Sequence, residues 1–272
     1  MDANELRSLQ MTLLEICCEI DRICREEGIP YFIIAGTALG AVRHGGFIPW
    51  DDDLDIGMKR EDYERFLQAA PGKLKPEYFL QNHETDPNAP FYFTKIRKNG
   101  TRFVEKYLSG LAMHHGVFVD IFPFDPAPDH SKERERYFKK ARFLDQVYVS
   151  KFVSGTSTPQ TGFSGRMKGL VRKFLHIALR PVSAKKLYFR LDREIQRYGG
   201  RETACRCYAL TPKLLIQNEN LDNLDEILFE GKKLFCPGNL SVHLTDYFGD
   251  YMQLPPEEKR VGHQLEEVRL SE

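Results

Sequence analysis

Gly36-Thr-Ala-Leu-Gly-Ala-Val-Arg-His-Gly-Gly-Phe-Ile-Pro-Trp-Asp-Asp-Asp-Leu-Asp-Ile-Gly57 is the stretch that decides the fold. Ahead of it, Tyr31-Phe-Ile-Ile-Ala35 is a continuous apolar run, the pattern of a short strand buried on both faces. The run ends at Gly36-Thr37, where Thr37 is placed to cap a short helix through Val42, and Gly45-Gly46 closes that helix. A loop through Pro49 and Trp50 enters a second predicted strand, Asp53 to Gly57. Side chains alternate along a strand, so Asp53 and Asp55 share one face while Leu54 and Ile56 take the other. Two carboxylates about 4 Å apart repel by roughly 4 kcal/mol at an effective dielectric near 20. That is a large share of a domain's stability, so the pair calls for a cation, and a carboxylate pair bridging magnesium ions supplies the reason. A solvated acidic turn is the competing reading for Asp51 and Asp52. An EF-hand fails in detail, because its sixth position would be Ile56 instead of Gly and its twelfth Asp62 instead of Glu.

Working outward, a third acid sits in Gly116-Val-Phe-Val-Asp-Ile-Phe-Pro123. A lone ionised Asp120 in an apolar strand is costly unless paired or metal-bound, and a neighbouring strand carrying it completes a three-carboxylate metal site. Gly36-Thr37 opens a helix directly after a buried strand, where free N–H groups can hold a phosphate. Around these lie a predicted amphipathic helix through Leu6, Leu9, Leu13, Ile16, Ile20 and Ile23 that stops at Gly28, and a helix from Glu61 to Ala70. Further strands are expected at Tyr78–Gln81, Phe91–Arg97, Thr101–Lys106 and Val117–Phe122, with Asn99-Gly100 as a hairpin signal. A charged helix follows over Ser131–Ser150, then a Gly/Ser/Thr/Pro loop over Ser154–Gly165 and a mostly helical stretch, Met167–Arg197, broken at Pro181. Glu230-Gly231 signals a second hairpin, and a last helix is expected near Ser241–Phe248. The reading is an α/β (α+β, mixed-sheet) fold: a catalytic core over 1–125, a helical basic appendage over 126–205, and a C-terminal segment, 206–272, packing on the core.

Composition bounds the function without naming it. The 272 residues are 42% apolar and 29% charged, ordinary for a globular protein. Lys plus Arg and Asp plus Glu balance at 39 each, but from Gln146 to Leu191 there is no acidic residue and there are nine basic ones. That segment invites an anionic partner. Leu170, Phe174, Ile177 and Ala178 interleave with Arg172, Lys173 and Arg180, so it reads either as a helix lying on anionic lipid or as a core-packed helix with a solvated basic face. Nucleic acid is not expected, because past Tyr148 the basic stretch contains no tyrosine except Tyr188 and the chain is neutral overall. The N-terminus lacks a signal-peptide pattern and no run of about 20 apolar residues occurs; a cytoplasmic location, at the inner face of the membrane if the helix binds lipid, is the expectation.

The constellation is the signature of the nucleotidyltransferase superfamily, and the quoted Gly36–Gly57 stretch closely resembles the LicD family, to which the fukutin-related proteins are also related. The resemblance extends to Lys95-Ile-Arg97 with Thr101, to Gly116–Asp125, and to Gly249-Asp-Tyr-Met-Gln-Leu-Pro-Pro-Glu-Glu-Lys-Arg260 with His263. It implies a nucleotidyltransferase-like core that moves phosphocholine or a related phospho-alcohol from a CDP-alcohol donor to a glycan or lipid-linked glycan acceptor. It also implies that Asp53, Asp55 and Asp120 are the catalytic and metal-binding acids, holding two magnesium or manganese ions, and that Gly36 and Thr37 contact the donor phosphates. Arg43, Lys95, Arg97 and Arg260 become candidate phosphate or nucleotide contacts, and His44 and His263 candidate substrate contacts. Trp50, the one tryptophan, is a candidate face for a quaternary ammonium, with plain packing as the alternative. Transfer of a nucleoside monophosphate by the same acids, and a non-catalytic glycan- or nucleic-acid-binding role, are the competing functions.

Overall fold

The computed structural model describes residues 1–155 and 162–271. Its elements are α1 (Ala3–Glu27), β1 (Phe32–Ile33), α2 (Ala35–His44), β2 (Asp55–Lys59), α3 (Arg60–Lys73), β3 (Tyr78–Gln81), β4 (Thr94–Lys98), β5 (Arg102–Glu105), β6 (Phe118–Ala127), α4 (Ser131–Phe152), α5 (Gly162–Ala178) and α6 (Ala184–Ile195). There follow β7 (Cys205–Cys207), β8 (Leu215–Gln217), α7 (Asn218–Asp222), β9 (Asp225–Phe229), β10 (Lys232–Cys236), α8 (Leu240–Phe248) and β11 (Leu265–Arg269).

The long apolar strand β6 organises a mixed sheet. Its first half lies between β2, which runs parallel to it, and β4, which runs antiparallel; its last three residues pair with β7, which pairs with β8. The main order is β1-β2-β6-β4-β3. Alternation then divides the strands between two cores. Ile33, Ile56, Met58, Val119 and Ile121 pack under α1 and α3, whereas Phe32, Ile34 and Phe124 join Tyr137, Leu144, Tyr148, Leu191 and Ile195 of α4 and α6. Helices α4 and α6, within the stretch expected as an appendage, therefore cover the second sheet face. Helix α1 carries the expected stripe; Asp2 caps it through the N–H groups of Asn4 and Glu5, and Gly28 ends it at φ 60°.

Two local expectations need correction. Asn99-Gly100 turns the chain but does not join its flanking strands, because both edges of β4 are taken by β3 and β6. Strand β5 pairs with β11 at the far end of the chain instead. Thr37 does not cap α2: the helix starts at Ala35 with Ile34 before it, and Thr37 lies inside the first turn. The Glu230-Gly231 hairpin forms as read, with Phe229 opposite Lys232 and both turn residues at positive φ. Part of the loop expected over Ser154–Gly165 lies outside the described residues, and α5 begins at Gly162, within it.

On α8, His243 is 3% exposed and neither ring nitrogen has a hydrogen-bond partner. Burial lowers its pKa to about 4. The unfolded chain therefore takes up a proton that the folded chain refuses, and stability falls as pH drops from about 6.5 towards 4. His243→Leu is expected to add about 1–2 kcal/mol near neutrality and to flatten the loss of melting temperature between pH 7 and 5. Parallel losses in both proteins would remove His243 as the source.

Candidate active site

The acids converge at one end of β2 and β6. Asp55 and Asp120 are register partners on these adjacent parallel strands, and the N–H of Asp120 donates to the carbonyl of Leu54 at 3.0 Å. Regular strand begins only at Asp55, so Asp53 sits on the extended lead-in. Burial nevertheless alternates there, with Asp51, Asp53 and Asp55 half-buried and Asp52, Leu54 and Ile56 buried. The strand face that carries Asp55 also carries Gly57, where an added Cβ would come within 2.5 Å of Phe32 and 2.7 Å of Phe124. The acids therefore crown the face covered by α4 and α6.

Helix α2 points its first turn at this cluster. Ala35 adopts φ 47° at the strand-to-helix turn, a conformation that costs an L-residue about 1–2 kcal/mol and recurs where backbone is shaped for a ligand. A Cβ on Gly36 would meet the Asp51 carboxylate at 2.8 Å and displace it, so the start of the helix lies directly against the acids. Buried Thr37 ties the two parts together: its Oγ1 accepts from the N–H of Asp55 at 2.9 Å.

Burial first, then the mutual repulsion of the acids, raises the carboxyl pKa values. Asp51 is pushed up to about 8 by burial and by Asp53 and Asp52. Asp55 is pushed well up by burial and by Asp53, Asp120 and Asp51. Asp120 is raised to about 6 by burial, against the pull of Lys95, whose Nζ donates to Asp120 at 2.6 Å and lies 3.3 Å from the Phe118 ring centroid. An all-oxygen carboxylate donor set on adjacent strands fits a hard divalent cation such as magnesium or manganese. Among the described residues the trio of metal-capable side chains whose ligand atoms all lie within 4.8 Å of one another is a different one, Asp52, Asp53 and His263; Asp53, Asp55 and Asp120 do not meet that spacing. Asp52 is not a solvated turn residue. It is 3% exposed and accepts both the backbone N–H and Nδ1 of His263 at 2.8 Å, leaving Nε2 3.9 Å from Asp53. Burial lowers the His263 pKa, but the bond to Asp52 and the charge of Asp53 outweigh it and lift the value to about 10.

The other residues singled out from sequence divide into three groups. Arg43, His44, Trp50 and Arg260 come together: Arg260 stacks over the Trp50 ring at 5.1 Å, His44 meets it edge-on at 6.4 Å, and Arg43 is lowered by burial and by the charge of Arg260. Two guanidiniums that feel each other's charge suit an anion, and the Trp50 face already carries a cation. Lys95 belongs to the acid cluster. Arg97 is turned inward, 1% exposed, donating to Gln81 and to the Gly116 carbonyl at 2.6 Å, so its charge braces β4 from inside. Glu105 was missed. It is 8% exposed and lines a cleft of about 460 Å³ with Phe91, Phe93, Tyr107 and Asp120, closed on one side by the Val261–Gln264 segment. Its sequence signal is the one that exposed Asp120, a single acid beside apolar strand residues (Phe103-Val104).

Asp55 and Asp120 thus stand in register on parallel neighbours, with Asp53 on the lead-in to the same strand and the start of α2 aimed at them. Residues 28–159 match the family model described as LicD/FKTN/FKRP, nucleotidyltransferase domain. The chain thus contains a LicD-family domain over these residues. It is similar to the lipopolysaccharide cholinephosphotransferase LicD of Haemophilus influenzae, at 27% identity over 269 residues that cover 97% of this chain and 98% of that one. An uncharacterized protein of Rickettsia typhi is 44% identical over 74 residues, 27% of this chain and 24% of its own length. The mouse ribitol 5-phosphate transferase FKRP is 28% identical over 162 residues, 57% of this chain but 28% of the transferase.

Proposed function

We propose that the chain transfers a phospho-alcohol, with phosphocholine from CDP-choline as the first choice, to a hydroxyl of a surface glycan or its lipid-linked precursor, and releases CMP. The observation that carries this reading is the register of Asp55 with Asp120 next to Asp53, at the foot of the free N–H groups of α2. The similarity to a cholinephosphotransferase over nearly the whole of both chains supports the choice of choline among alcohols.

Asp53, Asp55 and Asp120 would hold magnesium or manganese, which when bound neutralises the donor diphosphate and acidifies the acceptor hydroxyl. The chain's own groups do the rest. The N–H groups of Gly36 and Thr37 face the diphosphate, and the Arg43–Arg260 pair beside Trp50 takes the nucleotide side. The acceptor hydroxyl enters from the cleft beside Asp120 and attacks the phosphorus next to the alcohol. A new P–O bond forms as the bond to the bridging oxygen breaks, CMP leaves with that electron pair, and the hydroxyl proton passes to Asp120. Asp52 positions His263, and with it the C-terminal segment, against Asp53.

Product analysis tests the reading. With CDP-choline, a glycan acceptor and magnesium, CMP is expected in equal amount to the choline phosphodiester formed, and chelation of the divalent cation should abolish both. Turnover unaffected by chelation, or pyrophosphate released from a nucleoside triphosphate with the nucleotide joined to the acceptor, would replace this reading with another.

A further inference from the structure

Helix α5 is amphipathic in the wrong direction for a core element. Met167, Leu170, Val171, Phe174 and Ile177 are 48–70% exposed, and with Ala178 they fall on one stripe of about 120° at 100° per residue. The opposite side, with Arg172, Leu175, His176 and Leu179, is half-buried. There Lys151 of α4 donates to the carbonyls of Leu179 and Arg180, and His176 bonds the Ser150 carbonyl at 3.0 Å. The sequence alternative of a core-packed helix is thus not realised: the apolar stripe faces out. A stripe of this size is rare on a protein that meets only water.

We infer that α5 is an interfacial helix that seats the protein on a membrane surface rich in anionic phospholipid. The charge distribution selects this occupant. Exposed Lys173 and Arg180 flank the apolar stripe, and Lys185, Lys186 and Arg190 are exposed just beyond it, within a segment from Gln146 to Leu191 without one acidic residue. Apolar side chains enter the acyl boundary while lysine and arginine meet lipid phosphates. A second copy of this chain would bring the same unrelieved positive charge against itself, which disfavours self-association through this face. No helix among the described residues is long and apolar enough to cross a membrane, so the contact is peripheral.

The full chain is tested by co-sedimentation with vesicles of phosphatidylcholine alone and of phosphatidylcholine mixed with phosphatidylglycerol, without donor or acceptor, so that the outcome is independent of the transfer chemistry. Binding is expected only to the anionic vesicles and should weaken as salt is raised. Phe174→Glu is expected to reduce partitioning about 30-fold by removing one buried aromatic ring. The surface double variant Lys173→Glu/Arg180→Glu should lower it at least about 30-fold, at roughly 1 kcal/mol per basic residue. Both variants should keep wild-type circular dichroism and wild-type transfer to a soluble glycan acceptor. Absence of binding to anionic vesicles, or binding indifferent to both variants, overturns the inference. So does a wild-type dimer that Phe174→Glu converts to monomer, since the stripe would then be covered by a second copy.

Discussion

Asp55→Asn is expected to lower kcat for phospho-alcohol transfer by at least about 10³-fold, equivalent to roughly 4 kcal/mol of lost transition-state stabilisation. The side chain keeps its size and the Thr37 bond to the Asp55 N–H is untouched, so the loss isolates the charge. The same substitution should leave the metal-free fold as stable as before or raise its melting temperature by a few degrees, on the order of 1 kcal/mol. The sign follows from the carboxyl group. Burial, then Asp53, Asp120 and Asp51, hold the folded-state pKa of Asp55 above its unfolded value. The folded chain therefore binds the proton more tightly, and stability present at acid pH is lost as pH rises through the folded-state pKa. Asparagine never ionises, so its advantage appears near neutrality and vanishes below about pH 4. Scanning calorimetry at two pH values and a CMP assay together read both effects. Turnover near that of the wild type would end the assignment of Asp55, and a large fall in melting temperature would make the residue structural.

Asp125→Ala should have the largest effect on stability, a loss of about 3–5 kcal/mol and a melting temperature lower by about 10 °C. Asp125 is 1% exposed at the β6 end of a buried pair in which Arg60 of α3 donates to both its oxygens at 2.9 and 2.7 Å. The same guanidinium donates to Tyr92 Oη at 2.9 Å, Tyr92 donates to Asp192 of α6 at 2.8 Å, and Gln196 donates to that carboxylate at 2.7 Å. This chain of bonds links the sheet to its second helical layer. Alanine strands the Arg60 charge in a low-dielectric site, whereas Asp125→Leu with Arg60→Met removes both charges and is expected to recover most of the loss. A double variant no more stable than Asp125→Ala would show that packing at this corner, not the isolated charge, sets the cost.

The juxtaposition of Asp55 with Asp120 was legible because it follows from strand periodicity and from the cost of an acid among apolar residues, and both are local properties. The Glu230-Gly231 hairpin and the Gly28 stop were legible for the same reason: a turn or cap depends on a few adjacent dihedral angles. The Asn99-Gly100 signal was equally local and misled, since a hairpin also needs a free strand edge. Arg97 shows the limit for charged residues. Beside Lys95 it reads as a phosphate contact, but a side chain's direction depends on the internal acceptors that Gln81 and Gly116 provide.

The local pattern of apolar and acidic residues alone determined the α/β class, the strand that bears the acids and the helix start aimed at them. Tertiary structure decided that Asp52 clasps His263 across 211 positions, that β5 takes β11 as its partner, and that the apolar stripe of α5 faces outward. Each of these depends on which edges, acceptors and faces remain unsatisfied once the rest of the chain has packed. That competition is settled by the whole three-dimensional arrangement, and no window of neighbouring residues contains it.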